Sequence, residues 1–246
     1  MSGPQRPEGL AQKPVLPKRF YKRAEAVPAE EGFAIALDGR HARTPARAPL
    51  ALPTEALGAA VAAEWEAQGE TIDPTTMPLT RLANVAIDGV SREIEAVAAE
   101  IVKYAGSDLV CYRAERPERL VAKQTHHWDP VLAFARENLG ARFTLAEGVM
   151  FVGQPDEALE AVARAVPRET FALTSLSVLT TLTGSALIAL ALQEGALDVD
   201  AAWAAANVDE DWNEELWGYD SEAAARKAIR EVEMRAAAQM MVLARG

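Results

Sequence analysis

The chain has 246 residues, half of them apolar, which is long enough to bury a core in one large domain or two modest ones. Its 25 Lys and Arg against 36 Asp and Glu leave a net charge of -11, which argues against a nucleic-acid partner because phosphate binding depends on clustered cations. The single cysteine, Cys111, excludes an intramolecular disulfide and indicates a reducing compartment.

The charge is unevenly distributed along the chain. Residues 1–50 hold nine Lys and Arg and five Asp and Glu, a balance of +4, so residues 51–246 carry -15. A basic N-terminal part followed by an acidic remainder favours protein surfaces of basic or mixed charge as partners. Within this N-terminal part, residues 1–19 contain four prolines and no apolar segment, so we expect a flexible arm rather than a secretory signal or a transit helix.

Residues 20–78 are predicted to form a small β-rich α+β domain. Phe33, Ile35 and Leu37 alternate before Asp38-Gly39, which predicts a hairpin with a type I′ turn. Thr54 is a predicted N-cap for a helix that runs through Trp65 and stops at Gly69. The proline-rich residues 74–78 predict a linker to the second domain.

Residues 79–246 are predicted to form a larger, all-α helical bundle. Apolar residues recur every three to four positions on both sides of Gly89, and Gly106 ends this pattern. Asp129-Pro130 predicts either a fresh helix N-terminus or a kink, and residues 141–152 a short extended hairpin. Further helices are predicted over residues 155–166, 168–194, 198–217 and 221–244. The predicted fold class is therefore α+β.

Residues 170–193 carry no charge, which raises the question of a membrane span. Eight of these 24 residues are Ser or Thr, and several share one helical face with Gly184. A face of small residues lets neighbouring backbones approach closely, so we favour the central, all-round-buried helix of a bundle over stable membrane insertion.

Signatures of catalysis are sparse. The chain contains neither a phosphate-binding GxxxxGK[ST] or GxGxxG loop nor a GxSxG nucleophile motif. His126, His127 and Asp129 could ligate a metal, but no second cluster completes a coordination shell. We therefore expect no cofactor and no metal.

The segment DEDWNEELWGYD, residues 209–220, combines six carboxylates with two tryptophans. On a helix, Glu210 and Glu214 lie four residues apart and face the same side, an arrangement found in general acid/base pairs and on solvated acidic faces alike. A solvated face does not explain Trp212 and Trp217, one of which could be a contact anchor, because tryptophan is favoured at interface hot spots. The alternative is a carboxylate- or metal-dependent hydrolase that uses Glu210, Glu214 and His127.

Three stretches together resemble a known family: AAEWEAQGETIDPTTMPLTRLANVAID at 62–88, DLVCYRAERPERLVAKQTHHWDPVL at 108–132, and DEDWNEELWG at 209–218. The patterns EWxxQ, CYRxExPExL, WDP and ExxxxxxWG are modest one by one but specific jointly. They look like the assembly chaperones of the F-type ATP synthase catalytic head, the family that holds the unassembled alpha subunit. The likeness extends from Phe20 over nearly the whole chain.

The resemblance implies a non-enzymatic chaperone with a β-rich N-terminal and a helical C-terminal domain. It would bind free alpha subunit and prevent its aggregation until the beta subunit displaces it. Trp65 and Glu210 match functionally sensitive positions of the family, and Trp217 belongs to its WG motif; Asp211, Trp212 and Glu214 join the predicted site by proximity. Trp65 could equally be a core residue. A monomer is expected, in the bacterial cytoplasm or, if eukaryotic, in the mitochondrial matrix.

Overall fold

A computed structural model describes residues 15–148 and 150–245 of the chain. A small antiparallel sheet near the N-terminus is followed by a helical bundle, which confirms the predicted α+β class. Within the described ranges, no helix is both long and apolar enough to cross a membrane. Most of the predicted N-terminal arm, residues 1–14, lies outside the described residues.

The sheet is built around one central strand. That strand is β2 (Gly32–Leu37), which pairs antiparallel with β1 (Ala24–Ala29), β3 (Arg40–His41) and β4 (Ala51–Leu52). The turn between β2 and β3 has positive φ at both Asp38 (48°) and Gly39 (77°). Positive φ at both central residues is what a type I′ turn requires, so the predicted hairpin is confirmed.

The residues just before Phe20 are ordered, contrary to the prediction of an arm that reaches residue 19. Lys18 forms an antiparallel bridge with Thr71. The amide of Arg19 donates to the carbonyl of Glu70 (2.9 Å), and the amide of Ile72 donates to the carbonyl of Pro17 (2.8 Å). Sequence periodicity did not reveal this pairing because it joins segments some fifty positions apart.

Helix α1 (Glu55–Glu66) begins where the sequence predicts, since the hydroxyl of Thr54 accepts a hydrogen bond from the amide of Leu57 (3.1 Å). The same hydroxyl donates to the carbonyl of Leu243 (2.5 Å), at the far end of the chain. The predicted linker is short: it consists of a 3-10 turn, Pro74–Thr76, followed directly by the next helix. One continuous cluster of buried residues includes side chains from both predicted domains.

The remaining helices form the bundle. They are α2 (Pro78–Asp88), α3 (Ile94–Ala105), α4 (Glu118–Asn138), α5 (Asp156–Ala165), α6 (Thr170–Thr183), α7 (Ala186–Gln193), α8 (Val199–Ala206), α9 (Val208–Trp217) and α10 (Ser221–Leu243). Helices α6 and α7 lie at the centre, where Leu173, Leu176, Leu179, Leu187 and Leu190 are fully buried. The uncharged segment is therefore central in the bundle, as predicted.

Two helices predicted as continuous are interrupted. Residues 168–194 form α6 and α7 because Gly184 adopts φ +67°, a left-handed conformation that ends α6, and the Ser185 hydroxyl then caps α7. Residues 198–217 form α8 and α9, which are separated at Asn207. The Asn207 side-chain amide donates to the carbonyl of Trp203 (2.8 Å) and so satisfies one backbone acceptor in the last turn of α8.

Two further local predictions are corrected by packing. Helix α4 continues through Pro130, so of the two predicted alternatives the fresh N-terminus is wrong; Trp128 and Val131 near the proline are buried in the core. The described residues of 141–152 form no hairpin with each other: β6 (Ala146–Glu147) instead pairs in parallel with β5 (Tyr112–Arg113). Both outcomes depend on partners distant in sequence.

A buried carboxylate joins the end of α3 to the start of α7. Asp108 is fully buried, and its oxygens accept hydrogen bonds from the amides of Val110 (3.3 Å) and Leu187 (3.0 Å). Burial raises the pKa of Asp108 to about 6, although these hydrogen bonds favour the charged form. Asp108 thus satisfies one backbone donor of the short 3-10 turn Leu109–Cys111 and one at the start of α7, beside the cap that Ser185 provides.

Candidate partner-binding site

The acidic segment, residues 209–220, forms most of α9, a short connection and the N-cap of α10. Helix α9 ends at Trp217 because Gly218 adopts φ +88°. Asp220 then caps α10, and its carboxylate accepts hydrogen bonds from the amides of Glu222 (2.8 Å) and Ala223 (3.2 Å). We call α9, this connection and the first half of α10 the acidic hairpin.

The inner side of α9 is fixed on α4. The ring of Trp212 is only 6% exposed, and the guanidinium of Arg119 lies 5.6 Å from its centroid. One turn earlier, the Asp209 carboxylate accepts a hydrogen bond from the side-chain amide of Gln124 (2.8 Å). These contacts determine which face of α9 remains open to solvent.

The outer side of α9 is held by ion pairs. Glu210 pairs with Arg230 and Asp211 with Lys227, both on α10, while Glu215 pairs with Lys123 on α4. All of these side chains are partly exposed, so each pair is worth no more than about 1 kcal/mol. The pairs orient the two helices of the hairpin, and salt will weaken them.

A groove of about 210 Å³ lies between the helices of the acidic hairpin. Its lining residues are Glu210, Asn213, Glu214, Trp217, Gly218, Asp220, Ala223, Ala224 and Lys227. Glu214 has no ion-pair partner among residues 15–148 and 150–245, in contrast to Glu210 and Lys227. Glu214 is thus the carboxylate most available to a cation brought by a partner.

The hairpin tip presents three large apolar side chains to solvent: Leu216 (52% exposed), Trp217 (84%) and Tyr219 (73%). Exposed apolar residues scattered singly are ordinary, but three within four positions beside a groove are characteristic of interaction surfaces. Tryptophan and tyrosine are favoured as anchors, and the surrounding carboxylates form a polar rim.

The structure brings together part of the predicted site. Glu210, Glu214 and Trp217 line the groove, and Asp211 lies beside it through its pair with Lys227. Trp212 is buried beneath α9, so it supports the site and is not presented on its surface. The prediction included Trp212 only by its proximity to Glu210, and proximity along the chain did not show that this ring faces α4.

Trp65 lies outside this groove, on α1 in the sheet region. It is partly buried against the core, and the Tyr21 ring packs on it with centroids 5.8 Å apart. The Tyr21 hydroxyl donates to the backbone carbonyl of Trp65 (2.6 Å). The indole nitrogen is buried and has no hydrogen-bond partner in the described part of the chain. These contacts support the structural reading of Trp65 over a partner contact.

Substitution of Trp65 by Arg is expected to destabilise the chain by about 2 kcal/mol or more, because it places an unpaired guanidinium in a partly buried aromatic cluster. The free energy of unfolding, measured with urea, checks this prediction. Trp65→Phe, which keeps the stacking on Tyr21, is the matched control and should cost much less. An unchanged unfolding midpoint for the arginine variant would instead indicate a surface role.

The hydrolase alternative gains no support from this geometry. The described residues contain no group of three His, Cys, Asp or Glu side chains placed to hold a metal ion. The Glu210 carboxylate is engaged by Arg230. His127 has a lowered pKa, caused first by burial, and does not line the groove. What the arrangement presents to solvent is an acidic and aromatic surface.

Sequence reasoning missed several residues of this surface. Leu216 and Tyr219 lie on either side of Trp217-Gly218 and are exposed, and no local signal in the sequence showed their exposure. Lys227 and Arg230 gave no signal either. Their role depends on the ion pairs that join α10 to α9, which local sequence does not specify.

Comparisons with known proteins identify relatives of the chain. The family model described as ATP12 chaperone protein matches residues 18–136. A chaperone candidate from Agrobacterium tumefaciens is 49% identical with a TM-score of 0.89, and the match covers 93% of this chain and 86% of that one. Atp12 from Paracoccus denitrificans is 41% identical with a TM-score of 0.87, and the match covers 93% of this chain and 98% of that one.

Proposed function

Because the chain belongs to the ATP12 chaperone protein family, we propose that it is a non-enzymatic assembly chaperone that binds the unassembled alpha subunit of the F-type ATP synthase in the bacterial cytoplasm. It prevents aggregation of that subunit until the beta subunit displaces it. The observation that carries the proposal is the exposed aromatic tip of the acidic hairpin, Trp217 above all.

The need for such a protein follows from ring assembly. A subunit destined for a ring exposes apolar and charged interface patches before its neighbours arrive, and these patches promote aggregation. The hairpin tip offers apolar area to cover such a patch, and its carboxylates complement basic residues at the patch edge. Partly hydrated charges of this kind raise the association rate and select the partner, while they add modest net affinity.

Release without nucleotide hydrolysis follows from competition. A chaperone that covers only part of the alpha-subunit interface binds more weakly than the neighbouring subunit, which covers all of it. Mass action then replaces the chaperone as soon as the beta subunit is present. The absence of a phosphate-binding glycine motif in the sequence accords with a release step that needs no ATP.

The proposal predicts the effect of reversing one charge at the groove. Glu210→Lys removes a carboxylate, repels Arg230 and presents a cation to a basic partner, so the Kd for alpha subunit should rise about tenfold or more. Co-expression with alpha subunit, followed by measurement of the soluble fraction of that subunit, checks this. The melting temperature of the Glu210→Lys variant should remain near that of the parent chain.

Two variants serve as controls for this experiment. Glu210→Gln keeps a hydrogen bond to Arg230 without the charge reversal and should retain most of the protection. Glu160→Lys makes the same charge change on an exposed position of α5 and should leave protection intact. If Glu210→Lys protects alpha subunit as well as Glu160→Lys does, the acidic hairpin is not the binding site.

A further inference from the structure

A second groove, of about 630 Å³, lies at the sheet and has the opposite charge character to the acidic hairpin. Its lining residues are Phe20, Tyr21, Leu37, Asp38, Arg40, His41, Ala42 and Arg43. Tyr21, Leu37 and Ala42 are buried and supply apolar surface at its base. We call this feature the basic groove.

The cations of the basic groove are exposed and largely free. Arg40 and Arg43 line it, and Lys22 lies beside it, next to Tyr21. No ion pair involves any of these three side chains within residues 15–148 and 150–245. Arg43 donates one hydrogen bond, to the backbone carbonyl of Arg47 (2.8 Å). Three cations against the one carboxylate of the lining, Asp38, leave a local charge of +2 on a chain whose net charge is -11.

The one carboxylate in the lining, Asp38, keeps its negative charge and has a structural role. Asp38 accepts hydrogen bonds from the backbone amides of Lys22 (3.0 Å) and Arg23 (2.9 Å), which hold its pKa below the usual range. It therefore fixes the segment before β1 against the β2–β3 hairpin. The consequence is that Lys22 and Arg40 belong to one rigid platform, with little backbone to order on binding.

An aromatic ring is presented at the same place. Phe20 is 74% exposed, although its neighbour Tyr21 is anchored on Trp65 and lies under the guanidinium of Arg19, 4.7 Å from the ring centroid. The Phe20 ring meets the edge of the Tyr21 ring at a centroid distance of 5.3 Å. An exposed aromatic side chain on an ordered segment is well suited to contact a partner at low entropic cost.

We propose that the basic groove binds an acidic segment of the client subunit, one that carries an apolar or aromatic side chain next to its carboxylates. The carboxylates contact Arg40 and Arg43, and the apolar side chain packs on Phe20. This inference rests on the proposed function for the identity of the client. A specific interface buries about 800 Å² on each partner, and the basic groove adds contact area to that of the acidic hairpin. Two contacts of opposite charge also fix the orientation of the client.

The groove itself is tested on the full chain with a probe. A fluorescein-labelled peptide of alternating Glu and Phe residues should bind at about 0.05 M salt and be released as salt rises to about 0.3 M. The same peptide with Lys in place of Glu should not bind. Arg40→Glu together with Arg43→Glu should weaken binding of the acidic peptide about tenfold or more. Arg92→Glu, an exposed single charge reversal away from the groove, is the control matched to Arg40→Glu alone and should leave binding of the acidic peptide unchanged.

Because Arg43 also hydrogen-bonds within its own loop, Arg40→Glu alone is the second variant, and its melting temperature should equal that of the parent chain. Equal binding of the acidic peptide by the parent chain and by Arg40→Glu, or equal binding of the Glu and Lys peptides, would overturn the assignment of the groove.

The identity of the occupant is tested with alpha subunit. The double variant should raise the Kd for that subunit several-fold. If the parent chain protects alpha subunit and the double variant has the same Kd, this inference fails while the proposed function stands. If the parent chain binds the acidic peptide but not alpha subunit, the proposed function fails, while the basic groove is still a binding site for acidic segments. Concentration-dependent dimers at low salt, lost in the double variant, would make a second copy of the chain the occupant and overturn the client assignment.

Discussion

Trp217→Ala is expected to weaken binding of the alpha subunit by about 30-fold or more, because truncation of an aromatic hot spot costs about 2 kcal/mol or more. The ring is 84% exposed in the free chain, so its removal should leave the free energy of unfolding unchanged. Light scattering of aggregating alpha subunit, titrated with the variant, checks the first part. Urea unfolding checks the second.

Phe151→Ala is the matched control for this prediction. Phe151 is also a highly exposed aromatic side chain, at 71%, and it does not line the acidic hairpin groove. The Phe151→Ala variant tests whether loss of any exposed aromatic ring lowers protection by reducing nonspecific hydrophobic contact. Equal loss in both variants, or full protection by Trp217→Ala, would show that the hairpin tip is not the anchor.

Trp128→Ala is expected to lower the free energy of unfolding by about 3–5 kcal/mol, the usual cost of truncating a large buried aromatic side chain. The ring is fully buried, its indole nitrogen donates to the carbonyl of Ala205 (2.7 Å), and the guanidinium of Arg113 lies 5.3 Å from its centroid. Natural domains are stable by only about 5–15 kcal/mol, so this loss is large. Chemical denaturation of the purified variant measures it.

Trp128→Phe separates the two contributions of this residue. It retains most of the apolar volume but loses the hydrogen bond to Ala205, so we expect a cost of about 1–2 kcal/mol. Ala205 is near the end of α8, directly before α9, so the alanine variant should also lose alpha-subunit protection as α9 loosens. Wild-type stability in Trp128→Ala would contradict the central packing role of this ring.

The expected roles of these tryptophans therefore differ because their environments differ. Trp217 is exposed and should matter for binding, Trp128 is buried and should matter for stability, and Trp212 is buried beneath the site it supports. All belong to motifs that the sequence singled out, WDP and the acidic segment. A motif alone does not distinguish a surface role from a core role, since both constrain the residue equally.

Local signals in the sequence predicted those turns and helix starts that are determined by a few neighbouring residues. Thr54 caps α1, and Asp38-Gly39 forms the hairpin turn, because capping and positive φ are decided within a few residues. The α+β class followed from the change of apolar period from two to about 3.6 along the chain. The resemblance carried by the three motif stretches also pointed to the family that the comparisons support.

Only the tertiary structure decided where the segments meet and which faces remain open. It divided residues 168–194 into two helices, paired β5 with β6 across more than thirty positions, and turned Trp212 inward while Trp217 remained outside. The acidic hairpin groove requires Lys227 and Arg230 of α10 to lie against α9, and the basic groove requires the segment before β1 to lie against the β2–β3 hairpin. Such placements depend on burial and pairing between distant segments, and the free energies of those contacts are not set by any local pattern of residues.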